Sequence, residues 1–139
     1  DMVNMQHKVL HPGAETDITD TNDLSAVMML EYCGEKILFM GDAGFDGESE
    51  LLASGADVDA DILKVGHHGS RYSSGEDFLS RVSPSYAIIS AGRDNRYGHP
   101  HEDALKRIED CGARTLNTID SGAVCVTIEP GGAKIERYR

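Results

Sequence analysis

Three short polar stretches of this chain combine side chains that do chemistry with glycines that leave room for a ligand. Gly41-Asp42-Ala43-Gly44 follows the apolar run Lys36 to Met40. An aspartate at a strand end between glycines can reach a metal ion, although a lone turn aspartate is more often simply solvated. Gly66-His67-His68-Gly69-Ser70 follows a second apolar run, Asp61 to Val65. Neutral imidazoles bind metals, and glycines let the backbone come close to a ligand. Two adjacent histidines in that setting are hard to explain by packing, and the bland alternative is a pair of surface loop histidines. Successive strand residues face opposite sides, so one histidine of the pair is expected to face a given metal. The third stretch, Ser90 to Pro100, places Arg93, Asn95 and His99 just before a well-marked helix. A helix N-terminus there suits an anionic ligand.

Other candidates read as bland. His99-x-His101 has the look of a metal pair, but Pro100 and the helix start give the two rings different jobs, and His101 reads as an exposed first-turn residue. His7 and His11 lie in the least patterned part of the chain and read as surface residues. Cys33, Cys111 and Cys125 form no Cys-x-x-Cys pair and read as buried free thiols.

The elements that position these stretches follow from periodicity. Residues 1–24 read as largely irregular, with an acidic, Thr-rich loop from Glu15 to Asp23. Ser25 to Tyr32 predicts a strand covered on both faces, and Lys36 to Met40 its antiparallel return. Asp46 to Ser54 predicts a short helix. Ser74 with Asp77 resembles a capping box opening a helix that Ser83-Pro84 stops. Tyr86 to Ser90 predicts a buried strand. Pro100 to Gly112 predicts a helix with Ala104, Leu105, Ile108 and Cys111 on one stripe. Thr115 to Thr118, Ala123 to Ile128 and Lys134 to Tyr138 predict closing strands. The order implies a layered α/β domain.

Charge narrows the partners. A net charge of −11, from 24 acidic and 13 basic residues, repels phosphate backbones. A nucleic-acid role then needs a local site or another domain. The longest apolar run, Ala26 to Leu30, is far short of the roughly 20 residues of a membrane helix.

Taken together and in order, these motifs resemble the metallo-β-lactamase superfamily, and most closely the hydrolase domain of DNA-internalisation competence proteins of the ComEC type. The resemblance rests on Gly41-Asp42, Leu63-Lys64-Val65-Gly66-His67-His68-Gly69-Ser70 and Asn95-Arg96-Tyr97-Gly98-His99-Pro100. Asn22 to Val27, Leu38 to Asp42 and Thr118 to Gly122 extend it over nearly the whole chain. It implies the C-terminal portion of an αββα sandwich. It also implies two divalent metal ions, zinc or manganese, with Asp42 bridging them and His67 a terminal ligand. His99 and Asn95 would face a substrate phosphate, and His68, Ser70 and Ser73 would line the same pocket.

The family's His-x-His-x-Asp-His motif is absent from residues 1–41, and the chain opens with Asp1 rather than Met. The expectation is therefore one partial domain over residues 1–139, soluble, inactive alone, and prone to self-association through an uncovered sheet face. Its partners would be the N-terminal part of the same domain and a phosphodiester, possibly DNA. The parent would be a bacterial envelope protein taking up DNA. Two other readings stay open: a hydrolase of a small phosphoester or lactone, and a metal-free binding or structural module. The His-x-His-x-Asp-His motif upstream of Asp1 would decide for the enzyme.

Overall fold

A computed structural model describes residues 5–138. A six-stranded sheet forms its centre, in the order β1 (Gln6–His11), β2 (Val27–Tyr32), β3 (Glu35–Phe39), β4 (Ile62–Lys64), β5 (Tyr86–Ile89), β6 (Arg114–Asn117). β1, β2 and β3 are antiparallel neighbours, whereas β3 to β6 run parallel. The change is dictated by the connections. Cys33-Gly34 turns β2 into β3 directly, while helices α1 (Phe45–Ala53), α2 (Glu76–Val82) and α3 (Glu102–Asp110) carry each later strand back to the same end. A short α4 (Thr118–Ser121) leads to a separate two-stranded ribbon of β7 (Ala123–Glu129) and β8 (Gly132–Tyr138). The layered α/β expectation holds.

The helices cover one face of the sheet. Val27, Leu38, Leu63, Val65, Ala87 and Ile89 point into one cluster with Leu51 of α1, Phe78, Leu79 and Val82 of α2, and Ile108 of α3. Each is at most 2% exposed, so burying each of these side chains other than Ala87 stabilises the fold by roughly 1.5–3 kcal/mol before entropic costs. The opposite face is covered less. Met28, Leu30 and Ile88 are half-buried, so β2 and β5 are not sealed on both sides as their apolar runs suggested.

Three local expectations are corrected. Residues 6–11 form a strand that their mixed composition hid, held by pairing to β2 rather than by propensity. Ser74 does not cap α2; it takes a left-handed backbone (φ 59°), Gly75 is the cap residue, and no side chain of the cap itself bonds there. Cys33 and Cys111 are half-buried and Cys125 is exposed, because β7 alternates and Cys125 falls on its outer side. All three are free thiols.

Candidate functional site

Because β3, β4 and β5 are adjacent and parallel, their C-terminal ends open on one edge of the sheet, where open α/β sheets place their sites. β3 delivers Asp42, β4 delivers His67 and His68, and β5 delivers the loop to His99. All three polar stretches singled out in the sequence therefore meet.

Close backbone contacts weld the loops together. The His67 N–H donates to Gly41 O at 3.0 Å, and the Asp42 N–H to Ser25 Oγ at 2.9 Å. A Cβ on Gly66 would lie 2.5 Å from Ala43 O, and one on Gly69 would lie 2.7 Å from the Pro100 Cβ. Only glycine fits at either end of the histidine pair. Between them, Gly66–Gly69 form a tight helical turn with His67 at φ 46° and His68 at φ 54°. Each such left-handed residue costs about 1–3 kcal/mol, which surrounding structure must offset.

This turn overrides the pleating rule, since the pair lies past the strand. The ring set against Asp42 is that of His68. Its Nε2 is 3.3 Å from Asp42 Oδ1, with both side chains about half exposed. Its Nδ1 lies 2.6 Å from Ser90 O. A carbonyl only accepts, so Nδ1 carries a proton and Nε2 is turned to the carboxylate. An imidazole oriented in this way by a backbone carbonyl is the usual arrangement of a metal-binding histidine. His67, the residue that the resemblance pairs with Asp42, packs its ring edge-on to His99, with 5.4 Å between centroids.

His99 sits in the middle of an imidazole cluster. Its ring is 6.2 Å from that of His68, 5.0 Å from His101 and 5.7 Å from Tyr97. Burial, then the neighbouring histidines His101, His67 and His68, hold its pKa below the ordinary imidazole value, against the pull of Asp42. A neutral ring can take a proton or donate one hydrogen bond.

Asn95, Ser70 and Ser73 hydrogen-bond to the backbone around the site. The Asn95 amide donates to Gly92 O at 2.7 Å and His99 O at 2.6 Å, and its Oδ1 accepts the His99 N–H at 2.8 Å. It closes the loop that presents His99. Ser73 Oγ lies 3.0 Å from both Gly66 O and Ser70 O, while Ser70 Oγ accepts from the Tyr72 N–H at 3.3 Å. Both serines are buried. His101 is half-buried rather than exposed. Its Nδ1 accepts the Arg71 N–H at 3.2 Å, and its own N–H donates to Gly69 O.

Several supporting residues escaped the sequence reading. His11 is buried, not at the surface, and its Nε2 is bonded to Asp23 O at 2.7 Å. The Asp23 carboxylate accepts the Gly44 and Gly47 N–H groups at 2.6 and 3.0 Å, capping α1 next to Asp42. Glu48 and Arg107 brace the segment after the histidine turn. Glu48 carried a signal, because it falls three residues before the buried Leu51 on the inward stripe of α1.

Asp42 and His68 together suit a shared cation, yet among the described residues no group of three His, Cys, Asp or Glu side chains could hold a metal ion. The donors present do not by themselves fit a two-metal centre. No helix of the described residues is long and apolar enough to cross a membrane.

Residues 12–93 match the family described as the Metallo-beta-lactamase superfamily. The chain is 40% identical over 121 residues to ComE operon protein 3 of Bacillus subtilis (strain 168), which covers 87% of this chain and 16% of that protein. It is 37% identical over 131 residues to Competence protein ComA of Neisseria gonorrhoeae, covering 94% of this chain and 19% of that protein. Recombination protein 2 of Haemophilus influenzae is 34% identical over 118 residues, 85% of this chain and 15% of its own length. The chain thus spans less than a fifth of each of these relatives.

Proposed function

The chain belongs to the metallo-β-lactamase superfamily, and from that premise we propose that it is the C-terminal part of a phosphodiester-hydrolysing domain of a competence protein that takes up DNA. The convergence of Asp42, His68 and His99 at the ends of three adjacent parallel strands carries this reading. Relatives named as competence and recombination proteins supply the biological setting.

In this proposal the complete domain would hold divalent ions, zinc or manganese, and Asp42 would be one of their carboxylate ligands. His68 and His67 are the candidate terminal ligands, and the remaining donors come from chain outside these 139 residues. Bound metals would supply a nucleophile at neutral pH and charge to offset the phosphate. The residues of this chain orient that chemistry. Ser90 O fixes the His68 ring. Asn95 fixes His99, whose neutral imidazole would donate a hydrogen bond to an oxygen of a bound phosphodiester. The chain alone is inactive in this reading, and its parent sits at the bacterial cell envelope.

The discriminating experiment is a substrate panel on the domain extended upstream. Hydrolysis of bis(p-nitrophenyl) phosphate or single-stranded DNA, with little action on a phosphomonoester or lactone, supports the proposal. A preference for the lactone would move it to the small-substrate reading, and no metal uptake would move it to a metal-free module.

A further inference from the structure

The segment that follows the turn of His67 and His68 is gripped by two side chains, Glu48 and Arg107. Glu48, on α1, is 3% exposed and accepts the Ser74 N–H at 2.5 Å and the Gly75 N–H at 2.8 Å. Arg107, on α3, donates to Ser74 O, Arg71 O and Ser73 O, each at 2.8 Å. Its guanidinium also lies 5.3 Å from the Phe45 ring centroid of α1. Segment 71–75 therefore passes between an anion that holds its N–H groups and a cation that holds its C=O groups. Ser73 passes the hold back to Gly66 O, and Arg71 N–H reaches across to His101.

The segment does not adopt this shape for its own sake. Ser74 joins His67 and His68 as a third left-handed non-glycine within eight residues, and its buried hydroxyl has no partner among the described residues. Glu48 is a carboxylate in the core, a placement that is unfavourable unless the charge is well matched. Two unfavourable features concentrated on one loop point to a required geometry. We propose that Glu48 and Arg107 are positioning residues, a two-sided clamp on segment 71–75 that keeps His68 turned toward Asp42 and His99. The proposal rests on reading Asp42 and His68 as the reactive pair.

The charges facing Glu48 are Arg107 from α3 and Asp23 from the loop before β2, and Asp23 is itself bound to the Gly44 and Gly47 N–H groups. Burial pushes the Glu48 pKa up to about 7, against the Gly75 and Ser74 N–H groups and Arg107, which pull it down. A protonated Glu48 has one fewer free acceptor for the two N–H groups, so the clamp slackens below neutral pH.

NMR of the 139-residue chain tests this without any turnover, so the clamp and the hydrolysis reading can fail separately. The ring nitrogens of His68 and the amides of residues 70–75 are followed in wild type, Glu48→Gln and Arg107→Lys. Glu48→Gln keeps the shape and turns one acceptor into a donor. Arg107→Lys keeps the charge and loses the fork. Both are expected to move the His68 Nδ1 resonance toward the tautomer-averaged position of free imidazole and to shift the 70–75 amides. Core signals of Leu63 and Ile89 stay in place. A residue that only stabilises the fold would lower the unfolding temperature and leave the His68 ring where it was, and that result overturns the proposal. If neither variant folds, wild type decides. The Ser74 and Gly75 amides should titrate with the labelled Glu48 carboxyl carbon at one midpoint near 7. Amides that ignore that carboxyl overturn the clamp.

Discussion

His68 Nε2 stands 3.3 Å from Asp42 Oδ1 while its Nδ1 is held by Ser90 O at 2.6 Å. One imidazole thereby joins the ends of β3, β4 and β5. In the domain extended to include its remaining donors, His68→Ala should lower bound metal more than His67→Ala, measured by metal analysis after gel filtration. The reverse ranking would return the ligand role to His67 and make His68 a bridge between loops.

The 139-residue chain alone should not hydrolyse phosphodiesters with added zinc or manganese. The present donors are too few to hold two ions with a water between them. Turnover well above a metal-only blank, and lost in Asp42→Asn, would refute this.

Glu48 makes stability depend on pH with a definite sign. Its carboxyl has a pKa of about 7 in the fold against an ordinary 4.5, so the folded state holds the proton more tightly. The extra stability is full below about pH 4.5 and is lost as pH rises through 7, on the order of 3 kcal/mol in all. Urea titrations from pH 4.5 to 8 should show that component fall away. In Glu48→Gln it should be missing, and an unchanged pH dependence would mean that another group carries it.

The half-buried side of the sheet, with Met28, Leu30 and Ile88, and the ribbon β7–β8 should make the chain self-associate. Covering roughly 600 Å² of apolar surface favours association by about 15 kcal/mol before entropic costs. Light scattering across a dilution series should show a mass above the monomer at micromolar concentration. A clean monomer that binds no hydrophobic dye would contradict this.

The site was legible where chemistry and turn residues coincide. Asp42, His67, His68 and His99 stand out because glycines and strand ends frame them, and the parallel order of β3, β4 and β5 brings them together. The geometry inside the turn was not legible. Two left-handed histidines abolish the strand alternation by which the pair was expected to face opposite sides, while the choice of His67 came from the resemblance. Asn95, Ser70 and Ser73 have the right chemistry for a substrate, but their hydrogen bonds go to the protein's own backbone. That is set by loop closure, which spacing does not encode. His11, Asp23 and Arg107 act through contacts 12 to 36 residues away, beyond any local pattern. β1 is a strand for the same reason, since only pairing with β2 makes it one.

Metal-dependent hydrolysis of bis(p-nitrophenyl) phosphate should be measured for the upstream-extended domain and for its Asp42→Asn variant, each with its metal content. The prediction is turnover above a metal-only blank in wild type. In the variant, loss of metal should accompany a fall in rate of roughly a hundredfold or more, at least the effect of losing an outer-shell partner. An Asp42→Asn domain that keeps its metal and its rate would contradict the site proposed for this chain.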